Sequence, residues 1–257
     1  MAPQPVLFTI EFRRKMAQLS RRQRHEWLAS LASELGGAGA RAQELGEVAR
    51  GCRLALVESI ARELGPFDDR HLRAVLEVPR ERFVRSEDVE RSAEDTPLAL
   101  DALGLATISA PHAYLLSFRL LELGPGDELV ELGAGSGYGA ALAAFIVGDG
   151  GRVLTFEIDP VLAEWSRRTL AGDSNVQVVE GDAVSTSPPW RGASKVVVTF
   201  AVDAWPDAWL EALPDGGRIV APVGKGDQRL LMAERRGGRI AESDHGAVRY
   251  VKNRSTR

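Results

Sequence analysis

Cysteine is nearly missing from this sequence: 257 residues include one, Cys52, so no internal disulfide can form. A reducing cytoplasm is the expected setting. Long apolar runs are missing too. The longest, AALAAFIV, falls well short of the roughly 20 residues that cross a bilayer, so no membrane partner is expected. The opening MAPQPVLFTIEFRRK lacks the charged-then-apolar order of a signal peptide. Basic excess is absent as well. The 32 Lys and Arg are outnumbered by 36 Asp and Glu, giving a net charge of −4, whereas a dedicated nucleic-acid binder carries the opposite sign. No repeat, low-complexity tract or metal-ligand spacing is found, so no metal is expected. What remains is globular: 44% hydrophobic and 26% charged residues support a real core. The length suits one large α/β domain, alone or with a small helical piece.

Apolar residues recur at helical spacing over 11–35 (Phe12, Met16, Leu19, then Trp27, Leu28, Leu31 and Leu35), with Ser20 placed to cap a second segment. GGAGA (36–40) reads as a flexible break, and 41–64 as helix ended by Gly65-Pro66. In that second helix Cys52 lies on an apolar stretch and is expected in the core. A short helix stopped at Pro79 follows, then a polar, loop-like stretch over 86–106. From Asp127 the rhythm changes to strand and helix in alternation: ELVEL, YGAALAAFIV, RVLTFEI, DPVLAEWSRRTLAG, VQVVEGD, KVVVTFAV, DAWLEAL and GGRIVAPVG. A hairpin about Gly237-Gly238 and a final strand GAVRYVK close the series. This order predicts a doubly wound, mostly parallel sheet with an antiparallel edge. The domain division is placed at 1–75, a helical region, and 76–257.

VELGAGSGYG joins a strand to a helix, where open α/β sheets bind ligands. Gly133, Gly135 and Gly137 are spaced G-x-G-x-G, and Tyr138 stands where the dinucleotide pattern needs glycine. Glu131 precedes the first glycine by two residues and would repel a pyrophosphate. It suits a ligand with a cationic amino-acid end, such as S-adenosylmethionine. Glu157 closes the next strand roughly 20 residues on, where a ribose-binding carboxylate is expected. Asp182 closes the strand after that, where its carboxylate or the amide of Ala183 would meet the adenine edge. Other readings stay open: a tight turn for the glycines, a cap or solvated acid for Glu157, turn chemistry for Asp182, and a surface ion pair for Glu131. Trp205 and Trp209 either line the mouth of the site or pack a helix.

VPRERFV (78–84), ATISAPH (106–112), ELGAGSGY (131–138), EGDA (180–183) and GGRIVAPVG (216–224) occur in that order. Together they resemble the protein-L-isoaspartate O-methyltransferase family, repair methyltransferases for damaged aspartyl and asparaginyl residues. The resemblance runs from about Cys52 to the C-terminus. It implies a class I S-adenosyl-L-methionine-dependent methyltransferase fold, Rossmann-like with a seven-stranded sheet, preceded by N-terminal helices. It implies that the T-I-S segment covers the cofactor and holds the acceptor carboxylate, with Ser109 as the active-site residue beside Thr107. Cofactor contacts are implied for Ala106 and Ile108, for Ala134, Ser136 and Gly137 around the other loop glycines, and for Ile158 beside Glu157. The partner implied is a protein or peptide bearing isoaspartate.

A carboxylate acceptor is already ionised at neutral pH, so the chemistry needs orientation and exclusion of water more than a general base. Hydroxyls at 107 and 109 fit a clamp rather than a nucleophile. Helix capping ahead of HAYLLSFRLL is the competing account of both. Pro111 is expected to fix the exit of the loop, and His112 to make structural hydrogen bonds. Three departures from the family pattern stand out. LDALGLATIS has no Gln; Ser194 and Lys195 replace an aromatic-Asp pair; and about 50 residues precede the matching region. They admit a second reading, a methyltransferase dedicated to a specific aspartate of a modified precursor peptide, and a third, a non-catalytic binding module. The sequence leaves the oligomeric state open.

Overall fold

The computed structural model describes residues 38–184 and 188–253. The helices expected over 11–35, and the Ser20 cap, lie outside them. The chain divides into two compact units, Met1–Leu56 and Val57–Arg257. Helix α1, Ala38–Leu64, runs through the division. Its start corrects the 38–40 part of the expected break, since Ala38, Gly39 and Ala40 are helical, while Gly36 and Gly37 lie outside the described residues. One glycine between alanines costs a helix about 1 kcal/mol, too little to interrupt it. Cys52 is exposed rather than in the core. Val48 and Leu56, four residues to either side of it, are buried.

Helix α2, Asp69–Glu77, is capped by Asp68, whose carboxylate accepts from the Arg70 amide. The 75/76 division falls inside this helix. It buries His71, Ala74 and Val75, and His71 Nε2 donates to the Leu123 carbonyl at 2.7 Å. A 3₁₀ turn, Arg80–Arg82, follows Pro79, and a second, Ser86–Arg91, occupies part of the stretch read as loop. Strands β1, Leu98–Ala99, and β2, Thr107–Ile108, form a small antiparallel pair. Helix α3, Pro111–Leu120, follows with Pro111 in its first turn.

The main sheet then forms in sequence: β3 Glu128–Leu132, β4 Arg152–Glu157, β5 Val176–Glu180, β6 Lys195–Val198, β7 Arg218–Val223, β8 Gln228–Arg236 and β9 Arg239–Val248. Their order across the seven-stranded sheet is β5-β4-β3-β6-β7-β8-β9. The first five pair in parallel, and β8 and β9 add antiparallel. Helices α4, Tyr138–Val147, and α5, Pro160–Thr169, carry the crossovers beyond β3 and β4. α4 is apolar on every face and accordingly buried. Arg70 caps its end, donating to the Ile146 carbonyl at 2.6 Å.

The β8–β9 hairpin turns at Gly237 and Gly238, whose φ of 56° and 76° suit a two-residue turn that twists with its strands. The separate final strand GAVRYVK does not form. Gly246–Val248 complete β9 beyond a register shift opposite Arg229/Leu231, so the chain runs straight on instead of turning. Residues 251–253 then fold back on Ala201: its amide donates to the Val251 carbonyl, and Asn253 donates to its carbonyl.

Helix α6, Asp207–Ala212, places Trp209 in the core between Trp190 and Phe200, both at 6.3 Å and 67°. This decides the tryptophan question for Trp209 in favour of packing. Its Nε1 donates to the Ala183 carbonyl at 3.2 Å. Trp209→Ala is expected to cost about 3–5 kcal/mol in urea unfolding. Trp209→Phe keeps most of the packing but orphans the Ala183 carbonyl, and is expected to cost about 1–3 kcal/mol. Midpoints indistinguishable from wild type would show that the ring is not part of the core.

Candidate active site

The strand order places the crevice. β3 pairs with β4 on one side and β6 on the other, so the loops after them diverge and leave an opening at their C-terminal ends. A cleft lies there. Of the residues expected from the sequence, Ala106, Thr107, Gly133, Gly135, Glu157, Ile158, Asp182 and Ala183 line it. Ile108, Ser109, Glu131, Ala134, Ser136 and Gly137 stand behind that lining.

The glycine loop is folded over the end of β4, where the amides of Gly133 and Ala134 both donate to the Phe156 carbonyl. Gly133 has φ of 101°, and a Cβ there would fall 2.3 Å from Thr199 Oγ1. No larger residue fits between loop and strand. Ser136 Oγ is buried without a hydrogen bond. Glu157 is held between two amides: Gly135 donates to Oε2 at 2.7 Å, and Asp159 to Oε1 at 3.0 Å. Burial pushes its pKa up, against the pull of those amides. Asp159, not Glu157, caps α5. Asp182 is exposed and accepts from Val184 at 2.8 Å, so it makes the turn and lines the cleft at once.

Glu131 is not among the residues that line the cleft. It is 1% exposed. Oε2 accepts from Thr155 Oγ1 at 2.6 Å. Oε1 faces the start of α4, where a Cβ on Gly139 would come within 2.0 Å of it, and the Ala140 amide donates to the carboxylate. Burial outweighs these donors and raises its pKa from 4.5 to about 8. A surface ion pair is therefore not its role.

The T-I-S segment is anchored from behind. Helix α3 takes Ala110 as its N-cap with no side-chain bond, so neither Thr107 nor Ser109 is a cap. Thr107 lines the cleft. The amide of Ser109 donates to the Tyr114 hydroxyl at 3.3 Å, and its side chain bonds to the same group. The guanidinium of buried Arg80 donates to the carbonyls of Ser92, Glu94, Thr96 and Ser109 at 2.8–3.1 Å. Arg80 belongs to VPRERFV, so one motif clamps another. His112 is structural, as expected: its amide and Nδ1 both bond Asp95. The departure at Lys195 is absorbed by an ion pair with Asp127.

Several wall residues escaped sequence reasoning. Thr199 and Phe200 follow β6, and Thr199 Oγ1 donates to the Gly133 carbonyl. Their place at the end of a parallel strand was a usable signal. Val251, Lys252 and Asn253 reach the cleft only through their tertiary contact with Ala201, which leaves no local mark in the sequence. The donor set fits S-adenosylmethionine. Apolar Phe156, Ile158 and Leu162 suit a flat base, Glu157 keeps acceptor capacity for vicinal hydroxyls, and the Gly133 cradle excludes side chains. Among the described residues no helix is long and apolar enough to cross a membrane.

The profile of the protein-L-isoaspartate(D-aspartate) O-methyltransferase family matches residues 54–257. Relatives include the protein-L-isoaspartate O-methyltransferase of Methanococcus aeolicus, 38% identical over 181 residues, with 70% of this chain and 83% of that protein covered. The Methanopyrus kandleri enzyme of the same name is 37% identical over 211 residues, covering 80% and 92%. Among solved structures, a protein-L-isoaspartate O-methyltransferase superposes with a TM-score of 0.71 at 26% identity, over 78% of this chain and 65% of its own, just under two thirds. A Plasmodium falciparum structure of that description, in complex with S-adenosyl-L-homocysteine, gives 0.67 at 22% identity over 77% and 96%, a likeness of fold.

Because the folded pKa of Glu131 lies above its ordinary value, its contribution to stability is complete below about pH 4.5 and is lost as pH rises through about 8. Glu131→Gln imitates the protonated acid at every pH. Between about pH 5 and pH 8 the urea midpoint of the wild type is expected to decline relative to that of the variant. Parallel profiles would mean that the buried carboxyl is not protonated in the fold.

Proposed function

The chain belongs to the protein-L-isoaspartate O-methyltransferase family, and from that premise we propose how its own residues divide the work. It is an S-adenosyl-L-methionine-dependent carboxyl O-methyltransferase of isoaspartyl residues, a protein-repair activity. The cytoplasm is its proposed compartment. One observation carries the division of labour: Thr107, on the strand that leads to Ser109, and Glu157, held by the glycine loop, line the same cleft.

When bound, the cofactor supplies an electrophilic methyl group on a sulfonium. Glu157 takes its ribose hydroxyls, using the lone pairs that the two amides leave open. Asp182 and Ala183 meet the adenine edge, with Ile158 against the ring. The glycine loop, 133–137, admits the methionine end, and Glu131 acts from beneath by fixing the start of α4. Ala106 and Ile108 close over the cofactor. Thr107 and Ser109 orient the acceptor carboxylate, which is ionised near neutral pH and needs no proton removed. Arg80 and Tyr114 hold the segment that carries them. The protein's contribution is thus alignment and exclusion of water.

Glu157→Ala is expected to raise the cofactor dissociation constant at least tenfold by calorimetry, the worth of roughly one hydrogen bond to a charged group. Unchanged binding would remove Glu157 from the ribose site. Ser109→Ala is expected to lower kcat/KM roughly tenfold or more while cofactor affinity stays within about twofold; full activity would dismiss Ser109. The reading as a whole is tested with labelled S-adenosylmethionine and matched peptides, one with L-isoaspartate and one with normal aspartate. Transfer to the isoaspartyl peptide alone is expected. Transfer to neither, with cofactor bound, would point to one dedicated aspartate or to a non-catalytic module.

A further inference from the structure

Resting on that reading, we propose that a groove beside the cleft receives the polypeptide flanking the isoaspartate and favours acidic flanks. The groove lies between the β7–β8 turn and the stretch that follows β9. Lys252 lines both groove and cleft, so the two concavities share a wall. An isoaspartyl residue sits within a chain, and its neighbours must leave the cleft over an adjoining surface. This groove adjoins it.

Charge indicates what it takes. Lys225, Arg229, Arg249 and Lys252 are four of its ten lining residues, against one acid, Asp227. That reverses the sign of the whole chain, at −4. Two of the cations are engaged: Arg229 with Asp244 at 2.9 Å, and Lys252 with Asp203 at 3.4 Å. Among the described residues no ion pair holds Lys225 or Arg249. The floor is pre-built. The amide of buried Gln228 accepts from Tyr250 N at 2.6 Å and donates to Tyr250 O at 3.1 Å, which fixes the backbone next to Arg249. Exposed cations on a fixed backbone attract a peptide carboxylate without the cost of ordering the loop.

The test is steady-state methyl transfer to three isoaspartyl peptides with acidic, neutral or basic flanks. The expected order of kcat/KM is acidic, neutral, basic. The double variant Lys225→Ala/Arg249→Ala should shrink the acidic-to-neutral ratio about threefold to tenfold, the range for two exposed charge contacts. Salt at about 0.5 M should shrink it too. Charge reversal, Lys225→Glu/Arg249→Glu, should invert the order, which a misfolded protein could not do. Equal rates on all three peptides, or a preference that survives the double variant, would overturn the groove and leave the methyl transfer standing. No transfer to any isoaspartyl peptide would sink the underlying reading, and the groove's role with it. Inhibition by a single-stranded RNA where a peptide of equal charge has no effect would assign the groove to nucleic acid and overturn the proposal.

Discussion

β3 is hydrogen-bonded to β4 along one edge and to β6 along the other, and both pairings are parallel. A chain obeying those pairings must leave the end of β3 on one side and later come back beside it on the other, with each crossover right-handed. The crevice between the two departures is therefore a consequence of strand order. Gly133 sits at its apex, with Thr199 of the returning segment so close that a side chain at 133 has no room. Glu157, Asp182 and Thr199 come from different stretches of sequence and line one cleft because β4, β5 and β6, grouped around β3, end on the same side of the sheet.

Two buried ionisable groups around this crevice are accommodated in opposite ways. The guanidinium of Arg80 donates to four backbone carbonyls. Such a group tolerates no neutral replacement without stranding those carbonyls, because buried acceptors without donors are costly. Its pKa is lowered by burial, yet a guanidinium stays charged at any physiological pH. Glu131 is met by one hydroxyl and one amide at a helix N-terminus, and burial still prevails, leaving the acid close to neutrality near physiological pH. The cation fixes the segment that carries Ser109, and the acid fixes the helix start that carries the glycine loop.

Much of this was legible in the sequence because local signals and tertiary outcome agree. The all-apolar helix after the glycines, Asp159 as a cap, Pro111 at the start of α3 and the paired glycines of the hairpin each follow from residue chemistry alone. Glu157 reached the cleft because strand ends in a parallel sheet point to one place. The failures have a common cause. The burial of Glu131 under α4 was not legible either, since its packing against Thr155 and Gly139 is not encoded by periodicity. The final strand was misread because an alternating stretch looks the same whether it begins a new strand or finishes an old one. Gly39 was overweighted, since a glycine flanked by alanines bends helix propensity only slightly.

The return of residues 251–253 to Ala201 carries a consequence for the order of events during synthesis. A ribosome must make every strand of the main sheet before Val251, Lys252 and Asn253 exist, yet these residues line the cleft beside Thr199 and Phe200. The sheet can close while that wall is still missing. A nascent chain halted at β9 would carry a nearly complete scaffold around a cleft open on one flank, so assembly of the fold and completion of the site are separate moments in the life of the chain.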